Sequence, residues 1–413
     1  MRKIAFLFLF NFMCLCTIGQ IDKSFFLIAR NTGIKQLANN DSIRVFGFAT
    51  KLGDQPNVPG PTLIMDEGDS IKIDLWNVSQ GAPHTIHLHG LDVNQQNDGV
   101  PHLSFEVHHM RHGYYYFKAP HPGTYLYHCH VASVVHVQAG MYGLIIVRPS
   151  GGTNSTWEFG YAFDNDLPLL TSEIDTTWHR DSVLLHPYDT AMEMHHVKIP
   201  DYRPQHFLIN GFSDQQLAEN NIALSTQKGK VSYLRLANIG YNGNRFIFPS
   251  QLNAQLISSD GRPLPKSEFS DTVYVYPGER YGVLVSSENT LSDSIVVEYL
   301  NLNTSSVLGT QKIPVSITEL SIPEIEDETL SLTVFPNPFP SKATIQLSLE
   351  SACNIQMELI DVNGTRLAVL ANGSFSSGDH IIDFNTEALE SGVYFIQVVK
   401  NGVTSLVQKI IKA

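Results

Sequence analysis

Cysteine is scarce in this chain: four in 413 residues, and two of them, Cys14 and Cys16, fall in an apolar N-terminal stretch. Removal of that stretch leaves Cys129 and Cys353, far apart in what read as separate domains. An exported protein so poor in thiols is not held together by disulfides, so Cys129 is kept for its reactivity or its ligand chemistry. Basic residues are also few, 27 Lys and Arg against 40 Asp and Glu, for a net charge of -13. That balance excludes the basic face that nucleic acid requires, and no basic run suggests an anionic membrane surface. Past the N-terminus no apolar run is long enough to span a bilayer, and no transmembrane segment is expected. Residues 40 to 150 also lack any convincing stretch of helical period.

The N-terminus itself, MRKIAFLFLFNFMCLCTIGQ, has two basic residues, an apolar run and a small-polar end near Gly19 and Gln20. This is the pattern of a signal peptide over residues 1–20 and implies export. From about 40 to 150, alternating runs such as SIKIDLWNV and GLIIVRP stand between Gly, Pro, Asn and Asp punctuation, the spacing of a β-sandwich. A connector, PSGGTNST, precedes a second β-rich region that runs to about 320, with KVSYLRLAN and DTVYVYPGERYGVLVSS as strands. An acidic, Pro-containing linker at 321–330 leads to a third all-β module at 331–413, marked by the turn signals Asn363-Gly364 and Asn401-Gly402. The expected fold is all-β throughout.

Histidine is where the chain is rich. Eleven of its seventeen imidazoles lie between residues 84 and 136. Six concentrate in two blocks: PHTIHLHG with His84, His87 and His89, and YHCHVASVVHVQAGMYG with His128, His130 and His136. On neighbouring strands, side chains alternate between faces. His87 and His89 then share a face, with His128 and His130, while Cys129 and His84 turn to the other. Two metal environments follow, back to back. Cys129, His84, His136 and Met141 offer one thiolate, two imidazoles and a weak thioether, the ligand set of a blue-copper electron-transfer site. A zinc site would rarely include Met, and a nucleophilic Cys–His pair would leave the flanking imidazoles without a role. His87, His89, His128 and His130 form an all-imidazole cluster suited to copper that binds oxygen or another small acceptor.

At these residues the chain resembles the multicopper oxidases, whose paired signatures are approximately HPxHxHG and HCHxxxHxxxGM; here they read HTIHLHG and HCHVASVVHVQAGM. The resemblance implies that His84, Cys129, His136 and Met141 hold type 1 copper. It also implies that His87, His89, His128 and His130 are half of the eight imidazoles of a trinuclear type 2/type 3 cluster. FLINGFS, GKVSYLRLANIG and VYVYPGERYGVLV resemble the family's copper-free domain, so residues 21–150 and 157–320 would be two cupredoxin-like Greek-key sandwiches. The C-terminal VFPNPF, LESGVYFIQV and KIIKA resemble the sorting domain of the type IX secretion system. That would make the outer-membrane secretion machinery a partner and the protein secreted or displayed at the cell surface after passage through the periplasm.

The chain departs from the family pattern in three ways. Cys129 and His136 stand two residues further apart than usual, no third cupredoxin domain follows, and NRFIFPSQL carries Phe246, Ile247 and Phe248 near where a ligand pair would fall. Four cluster ligands are therefore absent from the chain, and a homo-oligomer pairing two first domains would restore eight imidazoles. The expected activity is laccase-like: a small-molecule or metal-ion donor is oxidised and dioxygen reduced. A copper nitrite reductase, or an electron-transfer protein with no completed oxygen site, are the alternatives. His108, His109, His112, His195 and His196 read as surface or loop residues.

Overall fold

The structure is a computed structural model that describes residues 21–185, 199–319, 330–361, 365–385, 389–401 and 403–413. The expected signal peptide, His195, His196, the Asn363-Gly364 turn and all but the last residue of the expected linker lie outside these. The chain divides into two compact units, Met1–Glu319 and Leu320–Ala413.

The first unit opens with eight strands: β1 (Lys23–Gln36), β2 (Ser42–Ala49), β3 (Leu63–Asp66), β4 (Ser70–Asn77), β5 (His87–His89), β6 (His112–Lys118), β7 (Gly123–His128) and β8 (Tyr142–Arg148). They form two four-stranded sheets, β2-β1-β4-β6 and β3-β8-β7-β5. The alternation in β4 shows why: Ile71, Ile73 and Leu75 are buried while Ser70, Lys72 and Asp74 face outward. The core between the sheets gathers Leu27, Phe46, Ile73, Leu88, Tyr115, Tyr127, Cys129 and Met141.

β7 departs from this alternation and is buried at every position. Its Tyr125 and Tyr127 enter the first core, while Leu126 packs with Val137, Leu144, Leu170, Ala237 and Ile239 in a cluster that joins the first sandwich to the next. β7 is thus a partition with protein on both faces. This is what lets successive residues at its end serve different environments.

The second sandwich contains β9 (Asn165–Ile174), β10 (His206–Ile209), β11 (Leu224–Gln227), β12 (Ser232–Asn238), β13 (Gly243–Ile247), β14 (Gln255–Ser259), β15 (Arg262–Phe269), β16 (Thr272–Val275), β17 (Arg280–Val285), β18 (Leu291–Leu300) and β19 (Val307–Thr318). Their sheets run β10-β9-β12-β17-β14-β15 and β11-β19-β18-β13-β16. Phe246 and Phe248 are buried in the core between them, so apolar packing fills the stretch near which the family pattern places a ligand pair. In the second unit, strands from Leu330–Phe335 to Val403–Lys412 form a three-stranded and a four-stranded sheet around their own apolar core.

Candidate metal centres

β5 pairs antiparallel with β7 in the register His87↔His128, Leu88↔Tyr127 and His89↔Leu126. Paired residues share a face, so His87, His89 and His128 stand together on the outer side while Leu88 and Tyr127 enter the core. Cys129 follows β7 and turns inward. Its backbone N–H donates to the Met141 carbonyl at 3.0 Å, closing the loop that starts at Cys129.

Inside the core, the Cys129 Sγ lies 3.3 Å from His136 Nδ1 and 3.7 Å from His84 Nδ1. All three residues are buried and their donor atoms lie within 4.8 Å of one another. Phe46 packs against both imidazoles, its ring centroid 5.7 Å from that of His136 and 6.5 Å from that of His84. Burial pushes the Cys129 thiol up to about 11 and His136 down to about 4. It also holds His84 well below its ordinary range, with His136 adding to the effect. Left to itself the pocket therefore favours a thiol and neutral imidazoles. A bound cation would reverse the balance at sulfur, since metals take thiolate and neutral imidazole. Two inward-aimed Nδ1 atoms and a soft thiol in a sealed apolar pocket suit copper. Met141 is fully buried in the same core.

His136 sits on a helix, α1 (Ser133–Ala139), within the stretch whose sequence shows no convincing helical period. The β-branched residues of SVVHVQA disguise the helix, but Val135, Val137 and Ala139 are buried by it. Its end is fixed by Gly140 at φ +115°, whose N–H reaches back to His136 and Val137 carbonyls. A Cβ there would meet Val58 Cγ2 at 2.5 Å and the Phe46 carbonyl oxygen at 2.7 Å. The two extra residues between Cys129 and His136 are thus absorbed in helix.

On the outer face, the donor atoms of His87, His89 and His128 lie within 4.8 Å of one another. His89 Nδ1 and His128 Nε2 are 3.4 Å apart. The ring orientations are set from behind: His87 Nδ1 contacts the Asp98 carbonyl oxygen at 2.8 Å, and His128 Nδ1 that of Cys129 at 3.0 Å. Such carbonyl contacts fix the tautomer and leave the other nitrogen for a metal. Burial lowers His128 to about 3, and burial with the charge of Arg280 lowers His89 to about 4. His130, half-exposed, falls outside this tight trio. Its ring centroid is 5.2 Å from that of His87, and its backbone N–H donates to Thr85 Oγ1 at 2.9 Å. Phe46, Thr85, Asp98 and Arg280 are the supporting residues that sequence reading missed. Asp98 and Thr85 lie close to the histidine blocks in sequence, whereas nothing local marks Arg280.

His108 is exposed. His109 Nδ1 contacts the Ser79 carbonyl oxygen at 2.7 Å, and His112 stacks on Trp76 while pairing with Asp74 at 2.7 Å. They are surface and loop residues. Cys129 and Cys353 are both unpaired.

Family models described as "Multicopper oxidase" match residues 52–152 and 175–311, and together they cover more than half of the chain. The chain belongs to the multicopper oxidase family. Members carry copper, and both donor groups above lie within or beside the first matched segment. A third model, "Secretion system C-terminal sorting domain", matches residues 333–413, so this multicopper oxidase bears an export signal at its C-terminus. It is 37% identical over 102 residues to Laccase 1 of Metarhizium acridum, an alignment covering 24% of this chain and 16% of the relative. It is 28% identical over 188 residues to the copper-containing nitrite reductase of Neisseria gonorrhoeae, covering 45% of this chain and 43% of that one. The chain thus spans less than half the length of these curated relatives. Among solved structures, the blue copper oxidase of Nitrosomonas europaea superposes with a TM-score of 0.56 at 27% identity, over 72% of this chain and 85% of that one.

Proposed function

We propose that the protein is a secreted, laccase-like oxidase that takes electrons from a reducing substrate at one copper centre and passes them to a second that reduces dioxygen. In this reading residues 21–150 are the copper-binding domain, 157–320 a ligand-free companion and 331–413 the export module. The observation that carries it is the His87↔His128 register with Cys129 turned to the opposite side. His84, Cys129, His136 and Met141 would hold type 1 copper; His87, His89, His128 and His130 would hold their share of a type 2/type 3 cluster.

Copper, when bound, supplies the one-electron chemistry and the oxygen reduction. The chain's residues supply the rest. Cys129 is bonded through its own backbone to His128 and His130, the shortest covalent route between the two donor groups. The His128 Nδ1 contact to the Cys129 carbonyl oxygen adds a hydrogen-bonded shortcut along it. Phe46 and the surrounding core exclude water from the inner site.

Four imidazoles are half a trinuclear cluster, and the outer trio is only partly buried. We therefore assign the other half to a second copy of the chain. The sorting domain fits passage across the outer membrane, followed by release or surface attachment.

Copper analysis combined with oxygen uptake tests the proposal. A cluster shared by two chains requires about two and a half coppers per chain, one of them blue, with oxygen consumed when a donor is added. A single blue copper, reduced by donors and not reoxidised by air, would instead mark an electron-transfer protein. Consumption of nitrite with the same donor, in place of oxygen, would mark a nitrite reductase.

A further inference from the structure

The second sandwich has no ligand cluster of its own among the described residues, yet it reaches the first one's histidines through Arg280 and the turn before it. Arg280, at the start of β17, is buried, with its side chain only 6% exposed. Its Nε donates to the Thr124 carbonyl of β7 at 3.4 Å, and its Nη1 donates to the Gly278 carbonyl. Nη1 also pairs with Asp260 Oδ1 at 2.9 Å, but that carboxylate is half-exposed and shares its charge with solvent. The guanidinium fills the space beside Gly90, directly after His89: a Cβ at Gly90 would lie 2.1 Å from Nη2. The turn that carries Arg280 touches the cluster as well, since a Cβ at Gly278 would lie 3.1 Å from His89 Cε1. One cation therefore bears on both strands that supply imidazoles, β5 beside Gly90 and β7 at Thr124.

We propose that Arg280 is what the second sandwich contributes to the histidine cluster: a positioning residue that holds β5 against β7 and makes the open side of the cluster a site for small anions. The inference rests on the copper-cluster reading above. A permanent charge in a poorly solvated wall acts strongly over a few ångströms, because little water screens it. Asp260 offsets part of it. A monoanion such as azide, fluoride or hydroxide on a metal held by His89 would then gain from Arg280, while a neutral ligand would not.

The test is an azide titration of the copper-loaded full-length protein, followed at the non-blue copper by electron paramagnetic resonance. Arg280→Met should weaken azide about tenfold and lower the non-blue copper content, while the blue absorption stays at the parent's intensity. Arg280→Lys, which keeps the charge without the fork, should restore azide affinity to within about threefold of the parent. Asp260→Asn, a change at a half-exposed position, should tighten azide by a similar factor. Unchanged azide affinity in Arg280→Met overturns the proposal. So does a loss that Lys does not restore together with no effect of Asp260→Asn, because Arg280 would then be structural only. A parent protein without non-blue copper defeats the copper-cluster reading and this one together; a parent with that copper, indifferent to Arg280, defeats this one alone.

Discussion

His136 Nδ1 stands 3.3 Å from the Cys129 sulfur, held there by a two-turn helix that ends at a left-handed glycine. The inner site is thus set by how α1 stops as much as by the ligands themselves. Replacing Gly140 with Ala should therefore act on the centre at a distance. The new methyl has no room against Val58 and Phe46, and φ +115° strains any L-residue. We expect a stability loss of about 2–4 kcal/mol and a weakened, shifted blue absorption, measured by thermal melting and visible spectroscopy.

The partition of β7 predicts that the two centres can be damaged separately. His130→Ala removes a half-exposed imidazole from the outer face only. Oxygen uptake should fall by about 100-fold or more, the blue absorption should persist, and stability should change by less than about 1 kcal/mol. Loss of the blue colour in this variant would contradict the arrangement.

Acid should unfold the metal-free protein through its buried imidazoles. His84, His89, His128 and His136 all have folded-state values below the ordinary one, so the unfolded chain binds more protons. Their neutral forms are accommodated in full above about pH 6.5, and stability is lost as pH falls toward about 4, by up to about 1.4 kcal/mol per pH unit for each group. Denaturant titration of copper-free protein at several pH values measures the slope. Copper, which holds imidazoles neutral, should flatten it.

Glu173 should have the opposite sign. It is buried, its Oε1 accepts from the Asn242 backbone N–H at 2.9 Å, and its Oε2 has no partner. Burial raises it to about 7. A raised carboxyl favours folding below its unfolded value near 4.5, and that contribution is lost as pH rises to about 7. Glu173→Gln keeps the acceptor and removes the buried charge. It should stabilise the protein by about 2–3 kcal/mol at pH 8 and leave it nearly unchanged at pH 5, as thermal melts would show.

Much of this was legible in the residues. Parity alone separates Cys129 from His128 and His130, and the spacing of PHTIHLHG sets His84 opposite His87 and His89; in the structure His84 stands with Cys129 and His136, and His87 and His89 with His128. What escaped came from two physical causes. Helix α1 is built from β-branched residues whose local preference opposes it, and packing of Val135 and Val137 decides the outcome. Arg280 and Phe46 act from strands remote in sequence, and β7 was readable as a strand but not as one buried on both sides. That last property depends on Leu170, Ala237 and Ile239 of the second sandwich.

The pleat of β7 also restricts how such a protein can change over time. A single inserted or deleted residue between Tyr125 and Cys129 would rotate the thiol out of its chamber and a neighbouring imidazole into it. Both centres would be lost in one step. A change of two residues would keep the parity, so the strand's alternation ties the two donor groups to one another as a single unit.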